Sequence, residues 1–488
     1  MELLLYEQGL HVAGIAIIFT LLVKLYQGLF NPLSKVPGPW YSKWTDLVDK
    51  YHGLRRDRHV WVQSLHDKYG PIVRMSPDKV DVADPAAAQR IHRVKGGFRK
   101  SPWYTKVIAG APNIVSATDP DVHRRFRRLL SAPMSESGLK AVLPEVESKV
   151  RLAVQRIGEE MQERGSADVW KWWLFMATDV IGELSFGESF RMLEYKKINQ
   201  YAKDLQTLDS LNSLRATFPI FHWIGGIMPI SKIRESQKLF PRLFAYAAQS
   251  LQRHKTLVEN GDANVKQTLL QKVYRANEDE SMTWDELLSN ARTYIVAGSD
   301  TTSNTLTWLT WAVCKHPDVK RRLVGEVGAL PADFTHDDVR HLPYLNQVIE
   351  ETLRLYPAVP SGLPRAVPLE GVTFNKLWLP AGTTVLTQAY SLHRDPVAFP
   401  DAETFDPSRW EKPTQAMKDS FMPFGGGSRV CIGLHLAYIE MRMAAARFFR
   451  EFPNATVSNL EGMCDDDMMQ DAFFLGSPRG HRCLIQAY

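Results

Sequence analysis

The chain has 488 residues, of which 44% are hydrophobic and 23% charged, and its formal net charge is +5. This composition predicts a globular protein that is long enough to bury a large core. The mild basic excess forms no Lys/Arg block with interleaved aromatic residues, so nucleic-acid binding is not expected. Membrane surfaces and acidic protein partners fit this charge better.

The number and spacing of the cysteines also limit the kinds of site that the protein can contain. The four cysteines are Cys314, Cys431, Cys464 and Cys483. They form no C-x-x-C pair and have no zinc-ligand spacing, which argues against a disulfide framework and a metal knuckle. A reducing, cytosol-facing environment is the simpler interpretation.

The amino-terminal segment predicts a membrane anchor. Residues 10–23 are almost entirely apolar, and Lys24 separates them from a second apolar stretch. Residues 10–30 could cross ~30 Å as a helix at ~1.5 Å per residue if Lys24 snorkels to the interface. Acidic residues precede the run and basic residues follow it, which is the reverse of a cleaved signal peptide. We therefore expect residues 1–35 to be an uncleaved single-pass anchor, with the body of the protein in the cytosol.

A proline-rich hinge should follow the anchor. The segment Pro37-Gly38-Pro39-Trp40 predicts a stiff turn, and no other linker or internal repeat is evident. We therefore expect a single domain over residues 41–488.

Beyond the hinge, the pattern predicts many helices and a small amount of sheet. Residues 71–75 and 79–82 have the composition of a strand pair, and Asp84-Pro85 is typical of a helix start. Helical periodicity dominates over residues 145–316. Strands are expected again over residues 372–386, around a Pro-Ala-Gly turn.

One long helix has an unusual interior. Thr283 and Glu286 have capping-box spacing, and the helix can continue to Cys314. Its middle contains Gly298-Ser-Asp-Thr-Thr302, and the glycine alone costs about 1 kcal/mol relative to alanine. Several poor helix formers at one point predict a functional groove. A threonine hydroxyl there could bond to the carbonyl four residues earlier and open the helix.

Cys431 carries the strongest functional signal. It follows a glycine-rich loop and precedes a helix predicted over Leu434–Phe449. Backbone N–H groups and the positive end of that helix should favour a thiolate. A thiolate in this position suits the axial ligand of a haem iron, whereas a buried structural cysteine is the alternative for the residue considered alone.

The spacing around this cysteine resembles the haem-binding loop of the cytochrome P-450 family. The motif F-x-x-G-x-R-x-C-x-G is met by Phe424, Gly427, Arg429, Cys431 and Gly433. Three further motifs occur in the family's order: E-x-x-R at Glu351–Arg354, a PERF-like segment at Pro407–Trp410, and an oxygen-activating helix motif at residues 297–302. The resemblance covers essentially the whole chain. It implies a mainly α fold with small β-sheets, forming one catalytic domain behind an amino-terminal anchor.

The resemblance also implies a cofactor and its partners. Haem b would be bound through the thiolate of Cys431, with Phe424 beside it in the loop. Buried propionates need cationic partners, and the implied candidates are Arg429, Arg365 and the H-x-x-x-R pair His123 and Arg127. The neighbouring Arg124, Arg125 and Arg128 are expected to form a solvated basic face or a docking patch for a reductase.

The remaining implied residues fall into three groups. Glu351, Arg354 and Arg409 resemble a buried network that supports the haem loop, and His393 is expected to be structural as well. Thr301 would orient a proton-delivering water, and Asp300 would connect it to solvent. The substrate pocket would include aromatic residues, each of which is individually more often core than contact: Trp103, Tyr104, Phe473 and Phe474, with Phe218, Phe221 and Trp223 as a roof.

The expected reaction is a monooxygenation that uses external electrons. The chain has no G-x-G-x-x-G fingerprint after a strand and no P-loop, so we expect electrons from a separate NADPH-cytochrome P-450 reductase, with cytochrome b5 as a second candidate donor. The membrane would be the endoplasmic reticulum. Segments such as residues 388–395 resemble filamentous-fungal enzymes of secondary metabolism, which predicts a small apolar polyketide, terpenoid or alkaloid substrate.

Two other functions remain open from the sequence. One is a haem-thiolate isomerase or dehydratase that acts without O₂, and the other is a non-catalytic haem-binding sensor. The Asp300-Thr301 pair favours the monooxygenase, because the isomerase and dehydratase branches of the family typically lose this pair and a sensor needs no proton relay. The identity of the substrate and the position of its oxidation are not determined.

Overall fold

A computed structural model of the chain describes residues 28–108, 110–204, 231–260, 268–270 and 282–487, with scattered positions between 11 and 26 and residues 207 and 273. The described helices are α1 (Leu47–Leu54), α2 (Arg58–Tyr69), α3 (Pro85–His92), α4 (Trp103–Val107), α5 (Pro120–Leu130), α6 (Glu136–Leu139), α7 (Leu143–Arg164), α8 (Val169–Phe186), α9 (Met192–Tyr195), α10 (Ser231–Glu259), α11 (Trp284–Lys315), α12 (Pro317–Gly328), α13 (His336–Val339), α14 (Pro343–Leu355), α15 (Ala389–Leu392), α16 (Gln415–Ser420) and α17 (Leu434–Glu451).

The strands are short and form small sheets. They are β1 (Ile72–Ser76), β2 (Lys79–Val82), β3 (Arg99–Lys100), β4 (Ala167–Asp168), β5 (Arg365–Ala366), β6 (Val372–Phe374), β7 (Leu377–Leu379), β8 (Thr384–Leu386), β9 (Thr456–Val457), β10 (Gln470–Ala472), β11 (Gly476–Pro478) and β12 (Leu484–Gln486). The largest sheet has the order β1-β2-β8-β5-β3, and smaller sheets are β4-β12-β9, β6-β7 and β10-β11. The predicted mainly α fold with small β-sheets is confirmed.

Helix α11 lies at the centre of the helical body and packs against α8, α14 and α17. Helix α8 is mostly apolar, as expected for a helix in the core, and all of its residues except Trp170 and Lys171 are buried. The main hydrophobic core joins these helices to α5 and α7. The central position of α11 places its middle beside the candidate site.

The close packing of α8 on α11 explains Gly298. A Cβ atom on this glycine would lie 2.8 Å from Cγ1 of Ile181, which is too close for two carbon atoms. Helix packing therefore explains this glycine, and Gly298 also lines a cavity at the point of the helix where the sequence predicts a functional groove. Helix α11 continues without interruption from Trp284 to Lys315.

Local sequence signals predicted several boundaries well. The capping box at Thr283 is present, with Glu286 N–H donating to Thr283 Oγ1 at 3.2 Å and Thr283 N–H donating to Glu286 Oε2 at 3.0 Å. Asp84 caps α3 through Ala87 N–H at 2.7 Å. The strands near residues 372–386 exist, but β7 and β8 do not pair across the intervening turn. Instead, β7 pairs with β6, whereas β8 joins β2 and β5.

The amino-terminal prediction has a different outcome. Much of the predicted spanning segment, residues 10–30, lies outside the described residues. In the described part of the chain, every helix is too short or too polar to cross a lipid bilayer. The anchor over residues 1–35 therefore stays a prediction without structural support. The hinge is held to the sheet, because Arg74 N–H of β1 donates to the Pro37 carbonyl at 2.7 Å.

Alanine at Gly298 should destabilise the protein despite its higher helix propensity. Overpacking against Ile181 should cost about 1–3 kcal/mol of the free energy of unfolding, which exceeds the gain in propensity. Gly325 on α12 is the matched control, since a Cβ there meets no atom within 4 Å. Gly325→Ala should therefore stabilise the protein by about 1 kcal/mol. Urea unfolding of both variants measures the two effects, and equal stabilisation would contradict the packing explanation.

Candidate active site

A mainly apolar cavity lies between the middle of α11 and the loop that precedes α17. One wall is Ala297, Gly298, Thr301, Thr302 and Thr305 of α11, and the opposite wall comprises residues 422–425, 429–433, 436 and 437. Apolar side chains from other elements close the sides: Ile114, Val115, Ile181, Val359, Leu363 and Phe474. The cavity therefore combines one helix wall, one loop wall and a largely apolar rim.

The loop wall depends on two glycines with left-handed backbone conformations. Gly425 has a φ of +69° and Gly427 a φ of +61°, where side chains are strained. A Cβ on Gly427 would also lie 1.8 Å from the carbonyl oxygen of His92, so only glycine fits. The loop closes where Cys431 N–H donates to the Phe424 carbonyl at 2.9 Å. This geometry places the Cys431 side chain in the cavity wall.

Cys431 is the cysteine that reaches this cavity. Cys314 and Cys483 are buried elsewhere, and Cys464 is exposed. The Cys431 sulfur opens onto the cavity but is otherwise enclosed by protein, and this burial raises the pKa of the thiol. A hydrogen bond from the Gly433 backbone and the Arg127 charge lower the pKa, but by less. The backbone hydrogen bond and the nearby positive charge therefore act in the predicted direction, towards a thiolate, whereas burial acts against it.

The E-x-x-R pair lies behind this loop and is completely buried. The Arg354 guanidinium donates to both carboxylate oxygens of Glu351, each at 2.8 Å. Its other N–H groups donate to the carbonyls of His393, Ala402 and Thr404, at 3.1, 2.7 and 3.1 Å. All five donors of the guanidinium are therefore satisfied.

The Glu351 carboxylate is equally well satisfied. It accepts from Arg409 Nε at 3.0 Å, Trp410 Nε1 at 2.9 Å and the Asp406 backbone N–H at 2.9 Å. Arg409 and Trp410 belong to the PERF-like segment, and Asp406 directly precedes it. The structure thus brings Glu351, Arg354 and Arg409 together in one network, in the supporting position behind the loop.

His393 joins this network to the loop. Its Nδ1 lies 2.9 Å from the Arg354 carbonyl, and its Nε2 lies 3.0 Å from the Met422 backbone nitrogen. These partners assign the proton to Nδ1, so Nε2 accepts from Met422. Burial lowers the pKa of His393 to about 3, so the imidazole stays neutral at physiological pH. The ion pair is thereby linked to the loop that carries Cys431.

Cationic side chains gather at one end of the cavity. His123, Arg127, Arg365 and Arg429 all line it, as predicted for propionate partners, and Lys100 is a fifth member that the sequence analysis missed. In the described part of the chain, these five side chains form no ion pair with a carboxylate. The end of the cavity is therefore rich in basic side chains, and Asp119 raises the pKa of Arg429 without forming an ion pair with it.

The pKa values of this cluster are lowered by burial and by neighbouring positive charges. Burial lowers the pKa of His123 to about 3, and the charge of Arg429 lowers it further. Burial also lowers the pKa of Arg429 to about 10, and the charge of Arg365 adds to this shift. The pKa of Lys100 lies well below its usual range, mainly because of burial. An anionic ligand bound here would stabilise the protonated forms of these side chains and offset the repulsion between them. The two carboxylates of a haem fit this end of the cavity, and the sulfur fits the iron.

Lys100 could not have been found from its local sequence. It lies on β3 directly opposite Arg365 of β5, and this strand pairing brings the two cations together. Its ammonium group donates to the Val115 carbonyl and lies 4.6 Å from the Tyr104 ring centroid. A two-residue strand gives no reliable pattern in a sequence.

On the helix wall, the predicted catalytic pair is split. Thr301 faces the cavity and donates from Oγ1 to the Ala297 carbonyl at 2.7 Å, as predicted from its position. Asp300 is half-buried beside it and is not part of the cavity wall. Thr302 faces the cavity too, and donates to Glu440 Oε2 of α17 at 3.2 Å. Glu440 is an acidic wall residue that the sequence analysis missed.

The predicted aromatic pocket residues are only partly in the wall. Tyr104 and Phe474 line the cavity, and their ring centroids are 6.4 Å apart. Trp103 packs behind them at 5.5 Å from Phe474. Phe473 lies outside the wall and stacks with Arg56 at 4.8 Å. The predicted roof residues Phe218, Phe221 and Trp223 lie outside the described residues.

The basic face predicted on α5 is also partly paired. Arg125 donates to Glu286 Oε1 at 2.5 Å, which ties α5 to the start of α11. Its interpretation as a solvated docking residue is therefore wrong. Arg124 is exposed and pairs with Asp121 on its own helix at 2.6 Å.

Comparisons with known proteins agree with this geometry. A family model described as Cytochrome P450 matches residues 37–482. The Cytochrome P450 monooxygenase tazI of Aspergillus terreus is 49% identical, covering 98% of this chain and 99% of that protein. The Cytochrome P450 monooxygenase orf2 of Aspergillus niger is 41% identical, with 100% of both chains covered. The solved structure of retinoic acid bound cyanobacterial CYP120A1 has a TM-score of 0.70 and 21% identity, covering 87% of this chain and 94% of that one.

Breaking the buried ion pair should severely destabilise the fold. Arg354→Met leaves the Glu351 carboxylate buried without its main partner, which should cost about 3–5 kcal/mol of the free energy of unfolding. The exposed pair Arg321 and Asp318 on α12 provides a control, and Arg321→Met should leave stability almost unchanged. Urea unfolding of both variants tests this prediction. Similar losses in the free energy of unfolding would show that the buried pair contributes no more than the exposed pair.

Proposed function

Because the chain belongs to the cytochrome P450 family and is a haem-thiolate monooxygenase, we propose a specific reaction for its cavity. One oxygen atom of O₂ is inserted into a hydrophobic organic substrate, and the other is reduced to water. The observation that carries this proposal is the position of Cys431 and Thr301 on opposite walls of one apolar cavity, with a cationic cluster at its end.

The substrate class follows from the cavity lining. Ile114, Val115, Leu363 and Phe474 offer apolar surface, and polar groups are concentrated on the α11 wall and at the cationic end. Such a lining favours a bulky apolar molecule that is held mainly by burial of its surface. We propose a fungal secondary metabolite of polyketide, terpenoid or alkaloid type, in line with the fungal relatives.

Several residues would hold the cofactor. Cys431 would ligate the iron, Phe424 would pack beside the ligand loop, and the propionates would bind the cationic cluster. When bound there, haem supplies the one-electron and O₂ chemistry that protein side chains lack. The Glu351–Arg354 network and His393 keep the loop in place.

Thr301 has the central role on the opposite wall. Its hydroxyl hydrogen is directed to the Ala297 carbonyl, so its oxygen lone pairs can accept a hydrogen bond from a water in the cavity. We propose that this water delivers protons and that Asp300 connects it to solvent. The surrounding apolar side chains exclude further water, which limits wasteful proton transfer.

Electrons and location complete the proposal. We propose that a separate NADPH-cytochrome P-450 reductase supplies the electrons, with cytochrome b5 as an additional donor. We further propose a single-pass location at the endoplasmic reticulum membrane, with the catalytic domain in the cytosol. The apolar run over residues 10–30 and the order of its flanking charges support this location.

Cys431→Ser should abolish the thiolate signature of the haem protein. A hydroxyl oxygen cannot replace the sulfur, so the reduced carbon-monoxide complex should lose its red-shifted absorption band. Cys464→Ser is the matched control, because Cys464 is exposed and remote from the cavity, and it should keep the band. A red-shifted band in the Cys431→Ser protein would rule out this ligand.

Thr301→Ala should uncouple NADPH consumption from product formation. Positioned proton transfer typically contributes about 10²–10⁴-fold, so product should fall far more than NADPH oxidation, with hydrogen peroxide released. Thr307→Ala is the control, because Thr307 makes the same bond to the carbonyl four residues earlier but lies away from the cavity. The measurement is product formed per NADPH oxidised. An unchanged ratio, or NADPH oxidation that does not need O₂, would favour the isomerase or sensor alternatives.

A further inference from the structure

Two helices face each other behind the cysteine loop with matched polar pairs. Asn346 and Glu350 lie four residues apart on α14, and Tyr438 and Arg442 lie four residues apart on α17. Residues at this spacing share one face of a helix. The Tyr438 hydroxyl donates to Glu350 Oε1 at 2.9 Å, and Arg442 Nε donates to Asn346 Oδ1 at 2.9 Å. The roles proposed above use none of these four side chains.

The Tyr438 ring connects these polar pairs to the cysteine loop. Its centroid lies 5.4 Å from that of Phe424, and the two ring planes are inclined at 42°. Phe424 lines the cavity, and its carbonyl accepts a hydrogen bond from the Cys431 N–H at 2.9 Å. The Arg442 guanidinium lies 4.9 Å from the Tyr438 ring centroid. The tyrosine ring therefore contacts both a cation and the aromatic residue at which the loop closes.

The Glu350 carboxyl group is partly buried and relies on Tyr438 for its hydrogen bond. Its Oε2 atom is enclosed by protein and has no hydrogen-bond partner among the described residues. Burial raises the pKa of Glu350 to about 6, against smaller lowering by the Tyr438 hydroxyl and the Arg442 charge. The other described elements packed on α14, which are α11, α12, α15 and the PERF-like segment, add no charge to this shift. Arg442 is itself influenced by Arg340 of α13 and Glu136 of α6.

We propose that Glu350 and Tyr438 are positioning residues that hold the Phe424 ring against the cysteine loop and set the reduction potential of the haem bound in the cavity. This inference rests on the proposed function and deepens it. Neither side chain belongs to the described wall of the cavity, so both act through Phe424. The step concerned is the one-electron reduction of the haem by the proposed reductase, and Glu350 exchanges only a proton with solvent.

The sign of the charge effect follows from Coulomb's law. Reduction adds negative charge to the cofactor site, so an ionised Glu350 opposes it and a protonated Glu350 does not. The reduction potential should therefore fall as the pH rises through about 6. Across a protein interior, the ionised carboxylate should lower the equilibrium constant for reduction by about 3–10-fold. This factor corresponds to about 30–60 mV for one electron.

Redox titration of the purified haem protein between pH 5 and pH 8 tests the charge effect. Glu350→Gln should match wild type near pH 5 and have the higher potential at pH 8. Asp168→Asn is the matched control, because burial also raises the pKa of Asp168 to about 6, but this residue lies in the sheet β4-β12-β9 and outside the cavity wall. The control should keep the wild-type curve. A Glu350→Gln curve parallel to wild type, or the same change in Asp168→Asn, would overturn the proposal.

Two variants of Tyr438 separate the hydrogen bond from the ring packing. Tyr438→Phe keeps the ring but loses the hydroxyl that stabilises the ionised carboxylate, so the pH-dependent step should move to higher pH. Tyr438→Leu removes the ring and should change the potential even at pH 5, where Glu350 is neutral. An unmoved step in Tyr438→Phe would refute the hydrogen-bond link. A wild-type potential in Tyr438→Leu at pH 5 would refute the positioning of Phe424.

The pH dependence of stability tests Glu350 without reference to the haem. Its pKa in the folded protein is raised from 4.5 to about 6, so the folded state binds the proton more tightly than the unfolded state does. This contribution to stability is present below pH 4.5 and is lost as the pH rises through about 6. The melting temperature of Glu350→Gln, relative to wild type, should therefore increase between pH 4.5 and pH 7. A difference that does not vary with pH would contradict the titration of Glu350.

Failure of this inference can be told apart from failure of the proposed function. A wild-type protein without the red-shifted carbon-monoxide band would count against the proposed function, and the melting temperatures would still decide the state of Glu350. A protein that has this band, but whose potential does not respond to Glu350→Gln at pH 8, would count against this inference alone.

Discussion

The buried ion pair between Glu351 and Arg354 is the interaction on which the site depends. Removing two charges from water costs several kcal/mol each, so such a pair persists only when every donor and acceptor is satisfied. Here the guanidinium uses all five of its N–H groups, and the carboxylate accepts from the PERF-like segment as well. Through His393, the same network holds the Met422 backbone at the start of the cysteine loop. The loop is positioned by this rigid support, and its own glycine-rich sequence would not suffice.

At the cationic end of the cavity, in contrast to the Glu351–Arg354 pair, buried charges are not balanced by ion pairs among the described residues. Its side chains are buried near one another, and none forms an ion pair in the described part of the chain. Burial, and to a smaller extent mutual repulsion, lowers the pKa of His123 and Arg429. The protein thus stores unfavourable electrostatic energy at the place where an anionic ligand binds. Ligand binding relieves this repulsion, so we expect the cofactor to stabilise the fold as well as to supply reactivity.

The sequence predicted those parts of the site that depend on short spacings. The cysteine loop, the E-x-x-R pair and the Thr283 capping box each lie within ten residues, where chain geometry limits the outcomes. Features that depend on contacts between distant segments were missed or misread. The place of Lys100 requires the pairing of β3 with β5, and the reason for Gly298 is the position of Ile181 on another helix. The pKa of Cys431 depends on burial, which local sequence does not report. The lone glutamate at position 440 on an otherwise apolar helix face was the one signal that could have been recognised.

The fit of Gly427 against the His92 carbonyl has a consequence for the order of assembly. The cysteine loop needs a surface made by the end of α3, and it is also held by Arg127, whose guanidinium donates to the Val430 carbonyl 303 residues further along the chain. During synthesis, the ribosome releases this loop only after nearly nine-tenths of the chain has been made. A domain generally folds as a unit, so the early segments that hold the loop must wait for it before the binding surface for the cofactor is complete.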